Sequence, residues 1–338
     1  MTLTHPRDIG ERNDRLIAVS PAMRQVLQDI TAVAERSVHV LLSGEAGSGR
    51  ETIARTIHAR SRSTQGPFIR IDCAALTPQE MESQLFGTTG NRSGVERRSL
   101  ERIHRSSQPF HANNGTLLLQ NVVELPVRLQ LRLVRVLRDR QAVMMDDGDR
   151  FELDPRVITA ADRSLDAAVL DGRMLPDLHK RLSEYRIDVP ALRDRRDDIP
   201  ELATHIVTQL CTRANVPAKQ LSDAAKSLLA ALPWRGNGDE MTRLVEVLIT
   251  RVPSTTISID DVLAYVRLDG QATWLGVSGT LREARARFES EYIAAVVAQH
   301  NGRIPEAAKT LGIQRSNLYR KMRHLHVRPN PRRNRRSS

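Results

Sequence analysis

Residues 38–58 read VHVLLSGEAGSGRETIARTIH, and this stretch decides the fold of the larger part of the chain. Residues 38–42 are mostly apolar and include β-branched side chains, which predicts a short buried strand. After them, Ile53, Ala54 and Ile57 recur at helical spacing. Strand and helix are joined by G-x-x-x-x-G, the spacing of a loop whose N–H groups and helix N-terminus converge on a phosphate. Taken alone, the motif also fits an ordinary glycine-rich turn.

Further segments with a characteristic order lie on both sides of this loop. They are Ser20–Met23, Gly44-Glu45, Cys73–Leu76, Glu82–Gly87, Gly115–Leu119, Glu124–Pro126, Leu192–Arg195, Asp197–Ile199 and Trp234–Asn237. Together, over about residues 16–252, they resemble the AAA+ domain of bacterial enhancer-binding proteins, the activators of sigma-54 RNA polymerase. The resemblance implies an α/β fold: an AAA+ P-loop αβα sandwich with a parallel sheet, then a helical lid subdomain. It also implies ring-shaped oligomers in active members.

The resemblance places a nucleotide site in the glycine loop. Its candidate residues are those of the loop and one arginine that would reach a neighbouring protomer's nucleotide: Gly44, Glu45, Ala46, Gly47, Ser48, Gly49, Arg50, Glu51 and Arg181. Arg50 stands where the family has the P-loop lysine. It keeps the positive charge, but its rigid fork is not interchangeable with a compact ammonium. The sequence therefore leaves the binding of ATP or ADP open.

Other positions depart from the family's pattern for hydrolysis. The strand-borne acidic pair that holds Mg²⁺ and polarises the attacking water falls on Gln120 and Asn121, whose amides carry no charge. The first of two arginine fingers becomes Leu175. The two sensor residues align with Asp162 and Asp239, which would put negative charge near a triphosphate. Losing one such group typically costs about two to three decades in rate, so we expect no catalytic residues and no Mg²⁺ held by the protein.

The loop through which the family contacts the sigma factor has no counterpart in the sequence. After Leu85-Phe86-Gly87 the family carries GAFTGA, whereas residues 88–98 read TTGNRSGVERR, which is polar and basic. We expect a solvated surface loop there. Nothing in the sequence resembles a receiver domain, so we expect regulation through expression level, a trans-acting partner or the AAA+-like part itself.

The C-terminal stretch has the pattern of a helix-turn-helix. A first helix, which ends at Gly312, has one apolar face made by Ile304, Ala307, Ala308 and Leu311. Ile313 follows as a core residue, and the second helix turns inward Leu318, Met322 and Leu325. Such a motif offers its second helix to a DNA major groove. A basic helical hairpin that only covers the end of a domain is the alternative.

Positive charge is concentrated in this segment. From Gly279 to the C-terminus there are 14 Lys and Arg against 4 Asp and Glu, a net of +10 in a chain of +11. This distribution is typical of a nucleic-acid partner. The letters AA…LGI (307–313) and NLYRKM (317–322) also resemble the Fis-type helix-turn-helix, which implies an all-α domain that binds double-stranded DNA. The residues expected at the DNA are Arg315, Ser316, Asn317, Tyr319, Arg320, Lys321 and Arg323.

A long helix is predicted before the hairpin. Thr280 would cap it, and one side carries Leu281, Ala284, Phe288, Tyr292, Ala295, Val296 and Gln299. In Fis-type proteins this helix pairs with its mate, which implies a dimer that presents two recognition helices to a pseudo-palindromic site. Packing onto its own hairpin would explain part of the stripe.

Composition predicts six segments and no membrane partner. The segments are a polar extension (1–15), the AAA+-like αβα subdomain (16–195), the helical lid (196–267), a linker (268–279), the Fis-type domain (280–327) and a basic tail (328–338) expected to be disordered. No apolar run approaches the roughly twenty residues needed to cross a bilayer, and the opening residues form no signal peptide. We therefore expect a cytoplasmic protein. Cys73 and Cys211 lack ligands at metal spacing, which favours buried thiols.

Three functions are compatible with these residues. The favoured one is a sequence-specific DNA-binding transcriptional regulator on a AAA+ scaffold that does not hydrolyse ATP. The alternative is an ATP-dependent activator of sigma-54 RNA polymerase, alone or in a mixed ring with an active paralogue. The third is a subunit that enters such a ring and stalls it. The implied partners are DNA, further copies of this chain, and RNA polymerase or a paralogous activator.

Overall fold

The computed structural model of this protein divides into two compact units, residues 1–259 and 260–338, which are described separately. The described residues are 16–87, 100–162, 165–266, 290, 293, 297, 303–311 and 314–324. The predicted N-terminal extension, linker and basic tail, the polar loop at 88–98, and Thr280, Gly312, Ile313 and Leu325 lie outside them.

The described residues of the first unit form three sheets. Its strands, in chain order, are β1 (Val40–Ser43), β2 (Phe68–Asp72), β3 (Glu101–Ile103), β4 (Thr116–Gln120), β5 (Gln141–Met144), β6 (Arg150–Glu152), β7 (Arg156–Ala161), β8 (Tyr185–Asp188), β9 (Gln220–Leu221) and β10 (Thr256–Ile257). The central sheet has the order β2-β4-β7-β1-β8, and every neighbouring pair in it is parallel. The other sheets are β3-β5-β6 and β9-β10.

Helices alternate with these strands, as a parallel sheet requires. In chain order they are α1 (Pro21–Ala34), α2 (Arg50–Ala59), α3 (Pro78–Phe86), α4 (Gln108–His111), α5 (Val127–Asp139), α6 (Leu165–Leu170), α7 (Pro176–Leu182), α8 (Ile199–Arg213), α9 (Asp223–Ala231) and α10 (Asn237–Arg251). The next helix, α11 (Ile259–Tyr265), begins at the last residue of the first unit, and its remaining residues belong to the second. Helix α8 packs against both α9 and α10, which forms an all-helical layer after the sheet.

Two hydrophobic cores lie on opposite faces of the central sheet, because successive side chains of a strand point to opposite sides. Leu42 and Leu118 belong to the core covered by α1 and α2. Their neighbours Leu41 and Leu117 belong to the core covered by α3, α5, α6 and α7. The predicted αβα sandwich with a parallel sheet is confirmed.

Strand β1 begins two residues later than the apolar run predicts. The backbone N–H of His39 donates to the Glu184 carboxylate at 3.0 Å instead of to a strand, and the ladder starts at Val40. At the other end of the loop, the predicted helix is α2, which begins at Arg50. The strand, loop and helix inferred from residues 38–58 are all present.

The entry into α1 is fixed by a distant carboxylate. Ser20 caps the helix by accepting a hydrogen bond from the N–H of Met23 at 3.2 Å. Asp198, the residue before α8, accepts from the N–H and the hydroxyl of Ser20, each at 2.7 Å, and from the N–H of Val19. Three donors therefore satisfy the buried Asp198 carboxylate and join the start of α1 to the start of α8.

The second unit contains the predicted helix-turn-helix. The two helices of this motif are α12 (Ile304–Thr310) and α13 (Arg315–His324), and their apolar faces form one small core. The buried members are Ile304, Ala307, Ala308, Leu318 and Met322, as predicted, together with Ile293 and Val297 from the preceding helical residues. Ile293 and Val297 are not in the stripe that the sequence suggested, so the face that covers the hairpin was missed. The stripe residues lie outside those described.

Candidate functional site

The glycine loop follows β1 at the carboxyl edge of the central sheet, where the ends of parallel strands meet. It delivers the chain into the N-terminus of α2 through Gly49, whose φ is +94°. Gly47 has φ +71°, and a Cβ there would lie 2.6 Å from the carbonyl oxygen of Gly236. Glycine is therefore required at position 47 by both conformation and space.

Three successive carbonyl oxygens of the loop are hydrogen-bonded by later parts of the chain. Ala46 O accepts from the Asn237 side chain at 2.9 Å, and Gly47 O accepts from the N–H of Gly238 at 2.9 Å. Ser48 O accepts from Nη2 of Arg195 at 2.5 Å. These bonds fix the loop, so what it chiefly offers a ligand is N–H groups and donor side chains, as an anion site requires.

A cleft of about 550 Å³ opens beside the loop. Its lining includes six of the predicted nucleotide-site residues, Ala46, Gly47, Ser48, Gly49, Arg50 and Glu51, and four residues from other elements, Asp72, Asn121, Arg195 and Asp239. Gly44 and Glu45 are outside this lining. The Glu45 carboxylate instead binds both terminal nitrogens of Arg193, one at 2.8 Å, and accepts from Asn237 at 3.1 Å. Glu45 therefore holds the loop to the following segment.

Several buried donors in the cleft have no hydrogen-bond partner in the described part of the protein. They are the hydroxyl of Ser48, Nη1 of Arg50 and Nε of Arg195. Ser48 is 1% exposed and Arg195 is 7% exposed. Leaving a buried polar group unpaired is costly, and charged donors most of all. The three donors fit an anionic group such as a phosphate chain.

Arg50 lies among carboxylates. Burial lowers the pKa of its guanidinium, and the charges of Asp162, Asp239 and Asp72 oppose that shift. Asp162 and Asp239 are the residues that align with the sensor positions, and the structure brings both into the electrostatic environment of Arg50. Burial likewise lowers the pKa of Arg195, opposed by Asp198.

The end of β4 presents amides to the cleft. Gln120 is in register with Asp72 of β2, and both residues line the cleft. Nδ2 of Asn121 donates to Oδ1 of Asp72 at 2.8 Å, and the same oxygen accepts from the N–H of Ala74 at 3.1 Å. The carboxylate at this edge therefore belongs to β2, not to β4.

Few protein ligands for Mg²⁺ are placed together in the described residues. Across the described ranges, no group of three or more His, Cys, Asp or Glu side chains is placed to hold a metal ion. Glu51, at the position where a P-loop carries the hydroxyl for Mg²⁺, pairs with Arg55 at 2.8 Å and Arg70 at 3.1 Å. Cys73 and Cys211 are buried thiols, and burial raises the pKa of Cys73 to about 12.

The finger positions lie on or next to α7, away from the cleft lining. Leu175 precedes the helix, and its N–H donates to the Gln130 side chain at 2.9 Å. Arg181 is half-buried in the last turn and is close enough to Asp139 to contribute to the lowered pKa of that carboxyl. Its predicted contact with a neighbouring protomer's nucleotide stays a prediction.

The predicted DNA-contacting residues are all on α13. Arg315, Ser316, Tyr319, Arg320 and Arg323 are exposed, whereas Asn317 and Lys321 are half-buried. Nη2 of Arg320 donates to Oδ1 of Asn317 at 3.0 Å, one turn earlier. Because Leu318 and Met322 face the core, the opposite side of α13 is a basic surface open to a ligand.

Comparison with protein families accounts for both units. The sigma-54 interaction domain matches residues 16–188, the AAA+ ATPase lid domain residues 193–273, and the bacterial regulatory protein Fis family residues 284–325. The chain belongs to the sigma-54 interaction domain family. Members of this family are DNA-binding transcriptional regulators with a AAA+ domain, and the fold described above has its parts in the same order.

Relatives within the sigma-54 family match almost the whole chain. Regulatory protein AtoC of Escherichia coli strain K12 is 33% identical over 320 residues, covering 93% of this chain and 68% of AtoC. Transcriptional regulatory protein ZraR of the same strain is 33% identical over 308 residues, covering 91% and 68%. The crystal structure of NtrX from Brucella abortus with ADP is 32% identical, with a TM-score of 0.67, and covers 93% of this chain and 71% of that one. NtrX has also been crystallised with ATP, at a TM-score of 0.63.

Asp72, Arg195 and Asn237 were not assigned any function from the sequence. Arg195 and Asn237 stand within segments that carry the resemblance to the sigma-54 family, but nothing in the sequence showed that they reach the loop. Asp72 precedes the segment Cys73–Leu76, and a carboxylate next to a strand end was the only available signal. Among the described residues, no helix is long and apolar enough to cross a membrane.

Proposed function

We propose that this protein is a sequence-specific DNA-binding transcriptional regulator whose AAA+ cleft binds a nucleotide without hydrolysing it. It acts on double-stranded DNA in the cytoplasm, as a homo-oligomer that dimerises through its Fis-type domain. The AAA+ part and lid serve for assembly and for contact with RNA polymerase or a paralogous activator. We propose the same segments that the sequence predicts, with a lid at 196–267 and a DNA-binding domain at 280–327.

The loss of hydrolysis rests on the amides at the end of β4. Turnover of a nucleoside triphosphate needs a positioned metal ion to neutralise charge on the phosphates and a residue to orient the attacking water. Asn121 cannot act as a base, and its side-chain amide already donates a hydrogen bond to Asp72. Arg50 replaces the loop lysine, and Leu175 replaces a finger arginine. Any one of these changes would lower the rate by about two to three decades.

Retention of nucleotide binding is supported by the unpaired donors. Ser48, Arg50 and Arg195 line one cleft beside a helix N-terminus, and each carries a buried donor without a partner among the described residues. The N-terminus of α2 adds the partial positive charge of a helix dipole. The relative NtrX from Brucella abortus is known with ADP and with ATP, which agrees with a nucleotide in this cleft.

On α13 we assign base edges or adjacent phosphates to Arg315, Asn317 and Arg320. Lys321 and Arg323 contact the DNA backbone, with Ser316 and Tyr319 beside them. The exposed side of the helix and the net charge of +10 from Gly279 onward support this assignment. A base-reading arginine contributes about 1–3 kcal/mol and specificity, whereas a phosphate contact contributes to all sequences alike.

Two measurements on the full chain test the proposal. Footprinting on genomic DNA, followed by titration of the protected duplex, should show affinity that falls by about 1.5 to 4 decades in Arg315→Ala/Arg320→Ala. Arg213→Ala, an exposed arginine on α8, is the matched control and should bind as the native chain does. If the double variant bound the duplex as tightly as the native chain at moderate salt, the assignment of Arg315 and Arg320 to DNA contact would be wrong. ATP turnover by the same chain should be absent. Turnover at rates like those of active AAA+ ATPases would contradict the proposed loss of hydrolysis.

A second candidate function is an active sigma-54 activator, and Asp72 is the observation that favours it. This carboxylate lines the cleft on the strand next to β4 and interacts with Arg50. In that case Asp72→Asn would abolish ATP turnover that the native chain displays. Turnover that appears only after mixing with a purified paralogue would indicate a mixed ring, and stalling of the paralogue would indicate the third function.

A further inference from the structure

Resting on the nucleotide binding proposed above, we infer that the cleft takes a nucleoside diphosphate in preference to a triphosphate and needs no divalent cation. This preference follows from the balance between the donors at the loop and the carboxylates near Arg50.

The donors are sufficient for two phosphates. The loop's N–H groups and the start of α2 form an anion site of the kind that P-loops use. Two guanidinium groups add positive charge from different elements, Arg50 from the helix and Arg195 from the segment before α8. Arg195 is 7% exposed, and the acid that acts on it, Asp198, already accepts three hydrogen bonds from Val19 and Ser20. The Nε of Arg195 has no hydrogen-bond partner among the described residues, so its charge is left to a ligand of the cleft.

Three carboxylates act on the side chain that would approach a third phosphate. In a P-loop, the residue at the position of Arg50 reaches toward the β- and γ-phosphates. Here the negative charges of Asp72, Asp162 and Asp239 act on that side chain. Asp239 is close to the loop itself, since its carboxylate oxygen would be 3.0 Å from a Cβ on Gly47. A third phosphate adds negative charge next to these groups, and like charges at short range repel strongly in a partly buried site.

A divalent cation would normally offset that repulsion, but the groups that would hold it are otherwise engaged. Glu51 is bound to Arg55 and Arg70, and the side-chain N–H₂ of Asn121 faces Asp72. Oδ1 of Asp72 accepts two hydrogen bonds, from Asn121 and Ala74. The guanidinium of Arg50 supplies positive charge among the remaining carboxylates. This guanidinium supplies the positive charge that a metal ion would otherwise supply, and it is a permanent part of the protein.

Isothermal titration calorimetry of the full chain with ADP and with ATP, each in EDTA and in Mg²⁺, tests the inference. ADP should bind in EDTA, with a Kd that changes less than about threefold when Mg²⁺ replaces the chelator. ATP should bind at least about tenfold more weakly than ADP. A non-hydrolysable ATP analogue, used alongside, excludes conversion of ATP to ADP during the titration.

Three variants test which residues cause the preference. Asp72→Asn/Asp239→Asn should lower the Kd of ATP more than the Kd of ADP and bring the two values within about threefold of each other. The matched control is Asp177→Asn/Asp223→Asn, which removes two exposed carboxylates outside the cleft lining and should leave the ratio unchanged. Arg195→Gln should weaken ADP by at least about tenfold.

The outcomes separate this inference from the function it rests on. Binding of ATP as tightly as ADP, or loss of ADP binding in EDTA, overturns the inference and leaves nucleotide binding intact. Failure of every nucleotide to bind in both buffers overturns the inference together with the proposed nucleotide site. A preference for ADP that survives unchanged in Asp72→Asn/Asp239→Asn overturns the electrostatic origin argued above.

Discussion

The side-chain amide of Asn237, the first residue of α10, donates to the backbone carbonyl of Ala46 in the glycine loop at 2.9 Å. Its oxygen accepts from the N–H of Leu192 at 2.8 Å, and its nitrogen also donates to Glu45 at 3.1 Å. Asn237 is 0% exposed and has φ +53°. One buried side chain therefore joins the loop, the segment after the sheet and the last long helix of the lid, so the lid is a structural part of the nucleotide cleft.

Replacement of this side chain should destabilise the fold. Asn237→Ala removes three hydrogen bonds and leaves Leu192 N–H, Ala46 O and part of Glu45 unpaired, so we expect the free energy of unfolding to fall by about 2–4 kcal/mol. Urea unfolding monitored by circular dichroism measures the change. Asn215→Ala is the matched control, because Asn215 is exposed and has nearly the same φ of +52°. Equal losses in the two variants would assign the effect to backbone strain.

Stability should decrease as the solution becomes acidic, through His39. Burial lowers the pKa of this imidazole below its ordinary value of 6.5, and its Nδ1 accepts from the N–H of Val157 at 3.1 Å. As the pH falls below 6.5, the unfolded chain takes up a proton that the folded chain resists. The free energy of unfolding therefore falls, by up to about 1.4 kcal/mol per pH unit.

Urea titrations at a series of pH values from about 7.5 to about 5 measure this slope, which should be smaller in His39→Gln. Burial also lowers the pKa of His58, so part of the slope should remain. His111→Gln, at an exposed histidine of the same unit, should keep the native slope. A native slope in His39→Gln as well would contradict the assignment to His39.

Restoring the hydrolytic residues should require a change at Asp72. In Arg50→Lys/Gln120→Asp/Asn121→Glu, the carboxylate introduced at position 121 would stand where the Asn121 amide now donates to Asp72 at 2.8 Å. Two carboxylates in contact repel, so this triple variant should be less stable than the one that also carries Asp72→Asn, by about 1–3 kcal/mol at neutral pH.

Thermal and urea unfolding compare the two variants, and a coupled assay of ATP turnover follows any activity gained. Asp177→Asn added to the triple variant is the control for removing one negative charge, and it should give no recovery. If the triple variant proves as stable as the quadruple one, the contact between positions 72 and 121 is not the constraint described here.

Substitutions at two adjacent residues of α13 should affect stability and DNA binding differently. Leu318 is 0% exposed within the hairpin core, so Leu318→Ala should lower the local stability by about 2–5 kcal/mol and abolish binding with it. Tyr319 is 50% exposed, so Tyr319→Ala should leave the stability within about 0.5 kcal/mol and weaken only DNA binding. Hydrogen exchange of α12 and α13 amides in the full chain measures the first effect, and titration with the footprinted duplex measures the second. Loss of protection in Tyr319→Ala would show that this residue stabilises the hairpin.

Particular residues show why the fold was accessible from the sequence. Leu41 and Leu42 lie on opposite faces of the sheet, and the apolar run that contains them already predicted a strand covered on both sides. The hairpin was predicted as readily, since Leu318 and Met322 repeat at helical spacing. The missed contacts of Ile293 and Val297 show the limit: several apolar faces could be drawn on one predicted helix, and the choice between them depends on what packs there.

The sequence by itself determined the order of elements, the loop at residues 44–49, the absence of acids at the end of β4, and the basic surface of α13, because these are local properties of spacing and charge. Only the tertiary structure decided that Arg195 and Asn237 bond to that loop, that Asn121 donates to Asp72, and that three carboxylates act on Arg50. Asn237 and Ala46 are separated by 191 residues. Such contacts come from strand order and helix packing, and no local pattern encodes them.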